Sequence, residues 1–116
     1  MTPGVLFIIT SDPRKSARPA EAVRIAAGVG AWRKVAVTLY LRDAAVLALS
    51  EFPHDLADGD NFSRYLPLVG ESGGWICAQR GAALLKDIGQ SPVPFHETGD
   101  DELAALVMKN ECVLRF

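Results

Sequence analysis

The first apolar run, Val5-Leu6-Phe7-Ile8-Ile9, has no polar interruption, which is the pattern of a strand covered on both faces. The turn cluster Thr10-Ser11-Asp12-Pro13 ends it, and a basic loop, Arg14-Lys15-Ser16-Ala17-Arg18, comes next. Over 19–31 the spacing becomes helical. Val23, Ala26, Ala27 and Gly30 share one face, Ile25, Val29 and Trp32 widen it, and only Glu21 and Arg24 are polar. A helix this apolar is covered on more than one side, which predicts an additional surface from another subunit. A second strand follows over 34–41, with Val35, Val37, Leu39 and Leu41 alternating against Ala36, Thr38 and Tyr40. Arg42-Asp43 opens a short helix over 44–50.

The middle of the chain is more broken. Residues 51–60 are acidic and interrupted by Pro53 and Gly59, the composition of a mobile loop. Asn61 is placed to cap a helical segment over 62–69, interrupted at Pro67. A short buried strand over 74–77 runs straight into a helix ending near Asp87 or Ile88. Ala82, Leu84 and Leu85 of that helix point inward, and Gly89 stops it. Residues 92–95 form at best a short fourth strand. An amphipathic helix starts at Thr98 or Asp100 with Leu103, Leu106 and Val107 toward the core, and Cys112-Val113-Leu114-Arg115 makes a last strand. Strands alternating with helices at this spacing predict one domain over 1–116. Its fold class is a three-layer α/β/α sandwich with a mostly parallel sheet of about five strands.

With 116 residues, 49% of them apolar, the chain can build one real core. A net charge of −2 gives no global basic field for nucleic acid. The charge is unevenly spread. Residues 1–42 carry seven Lys/Arg against Asp12 and Glu21, whereas residues 43–116 carry five basic and twelve acidic side chains. Either these are two solvated faces, or a basic rim and an acidic patch meet a partner or another subunit. Two cysteines without close spacing argue against a disulfide scaffold or a zinc ribbon. The opening ten residues have no basic leader, and their apolar run is too short for a membrane span. The expected setting is therefore the cytoplasm, with no membrane partner.

The candidate chemistry centres on Cys77, which the predicted elements place where a strand hands over to a helix. In an open parallel sheet that edge is where ligands bind. The unpaired first-turn N–H groups of the helix favour an anion over a neutral thiol, and Arg80 in the same turn works in the same direction. A thiol of pKa about 8.5 is only about 3% thiolate at neutral pH, whereas one near 6.5 would be roughly three-quarters ionised. The competing account of Cys77 is a small buried hydrophobe. The loops after the first two strands leave the sheet at the same edge. Ser11, Arg14, Lys15 and Arg42 are therefore candidates to hold a persulfide or a small anion, or else are solvated or paired with Asp12 and Asp43. His96 is a candidate base. Cys112 starts its strand whereas Cys77 ends its own, which separates them by roughly 10 Å along the sheet and disfavours a disulfide. Gly28-Val29-Gly30 falls at a helix end and so is no dinucleotide loop. His54, His96 and Cys77 offer no ligand pair on one turn, so no metal or other cofactor is expected. No nucleophile elbow is present.

Several of these stretches together resemble a known family. The apolar first strand ending in Thr10-Ser11-Asp12-Pro13 precedes Arg24-Ile25-Ala26-Ala27-Gly28 and Val37-Thr38-Leu39-Tyr40-Leu41, with Cys77 and Gly81 after the third main strand. Over nearly its full length the chain resembles the DsrE/DsrF-like (sulfur-relay, TusD-like) family. The resemblance implies a compact α/β sandwich that assembles with itself or with related subunits. It also implies a cysteine that accepts a persulfide sulfur from a donor protein and passes it to an acceptor, a role that falls on Cys77. A second reading is a non-catalytic oligomeric module that binds a small anion or a protein through its basic rim, with Cys77 structural.

Overall fold

Five strands form the middle layer of the computed structural model, which describes residues 2–116. They are β1 (Gly4–Ile9), β2 (Ala36–Leu41), β3 (Trp75–Gln79), β4 (His96–Thr98) and β5 (Cys112–Arg115). All four pairings are parallel, in the order β4-β3-β2-β1-β5. β1, with its unbroken apolar run, and β2 both sit inside the sheet, where both faces of a strand are covered. Helices α1 (Arg18–Ala31) and α2 (Asp60–Glu71) cover one face, and α3 (Asp100–Lys109) lies over the other. The three-layer α/β/α sandwich expected from the alternation is the observed fold.

Strand periodicity splits the core in two. Phe7, Ile9, Val37, Leu39, Leu41, Ile76 and Ala78 face α1 and α2, where they meet Val23, Ala26, Phe62, Leu66 and Val69. Leu6, Ile8, Tyr40 and Cys77 point the other way, beneath Leu103 and Leu106 of α3. The apolar width of α1 has its explanation in the first group. α1 packs against both the sheet and α2, and the Asn61 amide donates to the carbonyl of Ala20 across that contact at 3.4 Å. α2 of the same chain thus gives α1 a second cover beside the sheet.

Local departures from the sequence-based expectations have separate physical causes. α2 begins after Gly59 rather than at an Asn61 cap and runs unbroken through Pro67. One lost backbone bond is outweighed there by the burial of Leu66 and Val69 on either side. The acidic segment expected to be a loop contains a 3₁₀ turn, Pro53–Asp55, and the Ala57 amide donates to the Pro13 carbonyl at 2.8 Å. The segment after β2 is likewise a 3₁₀ helix, Asp43–Leu49, with Ala45 to Leu49 buried. β4 lies at His96–Thr98 instead of 92–95, because Pro92 and Pro94 have no N–H to donate to a ladder. Val107 is 37% exposed, at the rim of α3 rather than on its core face.

The largest departure comes after β3. The strand runs two residues past Cys77, to Gln79, because Ala78 and Gln79 still find partners in Leu41 and Thr98. Gly81, with φ +79°, then turns the chain in a conformation that side chains disfavour. The chain continues into a 3₁₀ turn, Ala83–Asp87, not an α-helix starting at Cys77.

Candidate functional site

Ile8, Tyr40, Cys77 and His96 stand side by side in register across four strands, so all four side chains point to the α3 face. α3 shields the first three and leaves the β4 side open: His96 is exposed, and Trp75, two residues before Cys77, is 58% exposed. The result is a groove of about 530 Å³ that includes Cys77 among its lining residues. One wall is the helix stripe Glu102, Ala105, Leu106 and Lys109, spaced i, i+3, i+4, i+7 as one face of a helix requires. The other is built on Trp75, His96 and Thr98, with the Trp75 and His96 rings 4.8 Å apart and tilted by 33°. A larger apolar groove of about 640 Å³ shares the same ring pair and is lined by Pro67, Pro92 and Phe95, but no cysteine lines it.

Cys77 is a free thiol, 5% exposed, in the middle of β3. Burial pushes its pKa up, and the nearby Glu102 carboxylate acts in the same direction. The polar Thr98 hydroxyl near the sulfur opposes them only in part. The thiolate-favouring helix start expected at this position is absent, since the next helical turn begins at Ala83. Cys77 therefore rests as a neutral thiol at neutral pH, which corrects the expectation of a lowered pKa. Cys112, by contrast, is free and exposed at the start of edge strand β5. Iodoacetamide is expected to alkylate Cys112 first, and to reach Cys77 slowly with a pH midpoint above that of an unstructured thiol. Peptide-resolved mass spectrometry on the native protein checks this, and faster labelling at Cys77 would contradict the burial argument.

The arginines near this end of the sheet already have partners. Arg80 Nη2 donates to Glu102 Oε1 at 2.9 Å and to the Glu97 carbonyl at 3.1 Å. Arg42 Nη1 stands 3.8 Å from Asp100 and 3.4 Å from the Tyr40 hydroxyl. Arg14 binds Asp12 at 2.8 Å and holds that carboxyl below the usual range. Two of these three acids lie in the first turn of α3, where the helix dipole itself favours negative charge. Such exposed pairs are screened by solvent, so they position side chains more than they stabilise the fold.

Of the residues expected to gather at the sulfur, the structure brings Arg80 and His96 to the Cys77 groove. Ser11, Arg14, Lys15 and Arg42 do not line it. Ser11 and Lys15 lie in the loop after β1, where their amides donate to the carbonyls of Phe116 and Asp12. Trp75, Thr98, Glu102 and Lys109 belong to the groove and were not singled out in the sequence. The last two share the helical stripe that could have revealed them; Trp75 and Thr98 needed the strand register. Among the described residues, no three His, Cys, Asp or Glu side chains gather as metal ligands, and no helix is long and apolar enough to cross a membrane.

Neither a protein-family model nor a curated protein sequence matches the chain. Among solved structures, YchN from E. coli superposes over 100% of both chains, with a TM-score of 0.78 and 17% sequence identity. The protein shares the fold of YchN. A likeness at this identity is one of fold, so function is argued from the groove.

Proposed function

We propose that the protein is a sulfur carrier of the DsrE-like kind, in which Cys77 accepts the outer sulfur of a persulfide inside the α3 groove and hands it to an acceptor protein. The observation that carries this reading is the position of Cys77, a nucleophile within a groove otherwise lined by aromatic, small and charged side chains. The exchange needs no outside oxidant. The Cys77 sulfur attacks the terminal sulfur of R–S–SH, a new S–S bond forms as the old one breaks, and R–SH departs with the proton Cys77 gave up. A raised thiol pKa makes the thiolate scarcer but more nucleophilic, and keeps the resting sulfur less prone to oxidation. Arg80 is the cation nearest in role to a persulfide anion, because its guanidinium lines the groove while tethered to Glu102. Assembly with copies of itself or with related subunits, and delivery to an acceptor protein, belong to the same proposal.

The test is incubation with inorganic polysulfide, then peptide-resolved mass spectrometry. The addition of one sulfur atom is expected on Cys77, retained in Cys112→Ser and lost in Cys77→Ser. Loading confined to Cys112 would overturn the proposal. The burial of the thiol would then favour the second reading, a binding module in which Cys77 is structural.

A further inference from the structure

The groove has a direction. α3 runs antiparallel to the strands: its first turn meets Arg80, just past the end of β3, and the Glu111 amide just after it donates to Gly4, which begins β1. Along the helix wall, Glu102 and Lys109 are seven residues apart, about 10 Å by the rise of an α-helix. One end therefore carries the Arg80–Glu102 pair, with Glu97 beside it, and the other end carries Lys109. Among the described residues Lys109 makes no ion pair, whereas Arg80 does. Between the ends lie Ala105, whose small side chain leaves space, Cys77, and the Trp75–His96 ring pair.

We infer that this groove is a binding site for a small thiol or persulfide bearing a carboxylate, of the size of a short peptide, and that such a molecule is the sulfur donor. The inference rests on the carrier reading for the word donor, but not for the binding site itself. A volume of about 530 Å³ is within the range of small-molecule sites, roughly 300–1,000 Å³. The sulfur is recessed, 5% exposed, so a folded donor could reach it only on an extended tail, whereas a small molecule enters whole. The free cation at Lys109 suits a carboxylate. The Trp75–His96 pair gives a flat apolar wall for the body of the ligand, and its sulfur then lies over Cys77. At the other end the Arg80 guanidinium is already neutralised by the Glu102 carboxylate, so the uncompensated charge of the groove is that of Lys109, which selects for a carboxylate.

Glutathione is a suitable probe, titrated into the full-length Cys77→Ser protein so that no covalent step intervenes. NMR of the two indole N–H groups reads the site: Trp75 lies in the groove, while Trp32, 64% exposed beside Lys34 at the end of α1, serves as the internal control. Saturable movement of the Trp75 signal alone is expected, weakened about fivefold by Lys109→Ala, as loss of an exposed ion pair gives. The glutathione diethyl ester should bind more weakly still. No saturable shift, an equal response at Trp32, or equal binding of the ester would overturn the inference. If polysulfide loads Cys77 while glutathione leaves Trp75 unmoved, the small-molecule site falls and the carrier reading stands. If glutathione binds but no sulfur is ever loaded, the site stands and the carrier reading falls.

Discussion

Phe7→Ala is expected to lower the free energy of unfolding by about 3–5 kcal/mol, the usual result of emptying a buried aromatic site. Phe7 is fully buried near the middle of β1, itself an interior strand between β2 and β5. Its ring stacks on Phe116 at 5.9 Å and 14°, and the Phe116 amide is held by the Ile8 carbonyl at 2.9 Å. Ladder bonds to β2 and β5 fix the backbone on both sides, so the surroundings cannot collapse far into the space left behind. Against a total stability of about 5–15 kcal/mol, the loss would remove a large part of the folded margin. Urea unfolding at constant slope measures it, with Trp32→Ala as an exposed comparison that should change little. A loss below about 1 kcal/mol would mean that β1 is not the packed centre of the sheet.

The same strand shows why the architecture could be read from the chain. A continuous apolar run such as Val5 to Ile9 suits little except a strand covered on both faces, and the helical spacing after it leaves only a crossover to a parallel neighbour. α1 was legible as a helix, but the cover on its second side was not. Nothing local distinguishes burial against α2 from burial against another protein. Pro67 misled in the opposite direction, since a helix break suggested by one residue yields when its neighbours Leu66 and Val69 are buried.

The candidate site was legible as a residue and not as an environment. Cys77 stood out by its scarcity and its place in a strand, and it does line a groove. Its electrostatics turned on two residues of strand length. Ending β3 at Gln79 moves the sulfur about 7 Å back from the sheet edge, away from any helix start and into the layer beneath α3. An expected thiolate site thereby becomes a buried thiol. The arginines illustrate the second difficulty. Arg42 and Arg80 were visible as cations at the right edge, but their partners Asp100 and Glu102 are brought there by α3, far along the chain. A count of charges cannot show which of them are already paired; the uncommitted Lys109 emerges only once the helix is laid beside β3.

Raising the pH from neutral into the alkaline range should lower stability in two overlapping steps, because two buried acids must ionise only after unfolding. Burial pushes the pKa of the Tyr40 phenol and the Cys77 thiol upward, each above its unfolded value. In the unfolded chain the thiol loses its proton near pH 8.5 and the phenol near about 10. Between the unfolded and folded pKa of each group the unfolded chain binds fewer protons, so stability falls as pH rises and is unaffected below that window. Tyr40→Phe removes only a 3.4 Å contact with Arg42 and should flatten the upper step; Cys77→Ser should flatten the lower one. Urea midpoints across this range for the two variants and their combination provide the test, and an unchanged slope in the double variant would refute the assignment. The lower step matters for function as well. If it disappears with Cys77, the resting sulfur is a protonated thiol in the native protein. A carrier reaction must then begin with removal of that proton inside the groove, after a ligand has entered, rather than with a thiolate standing ready.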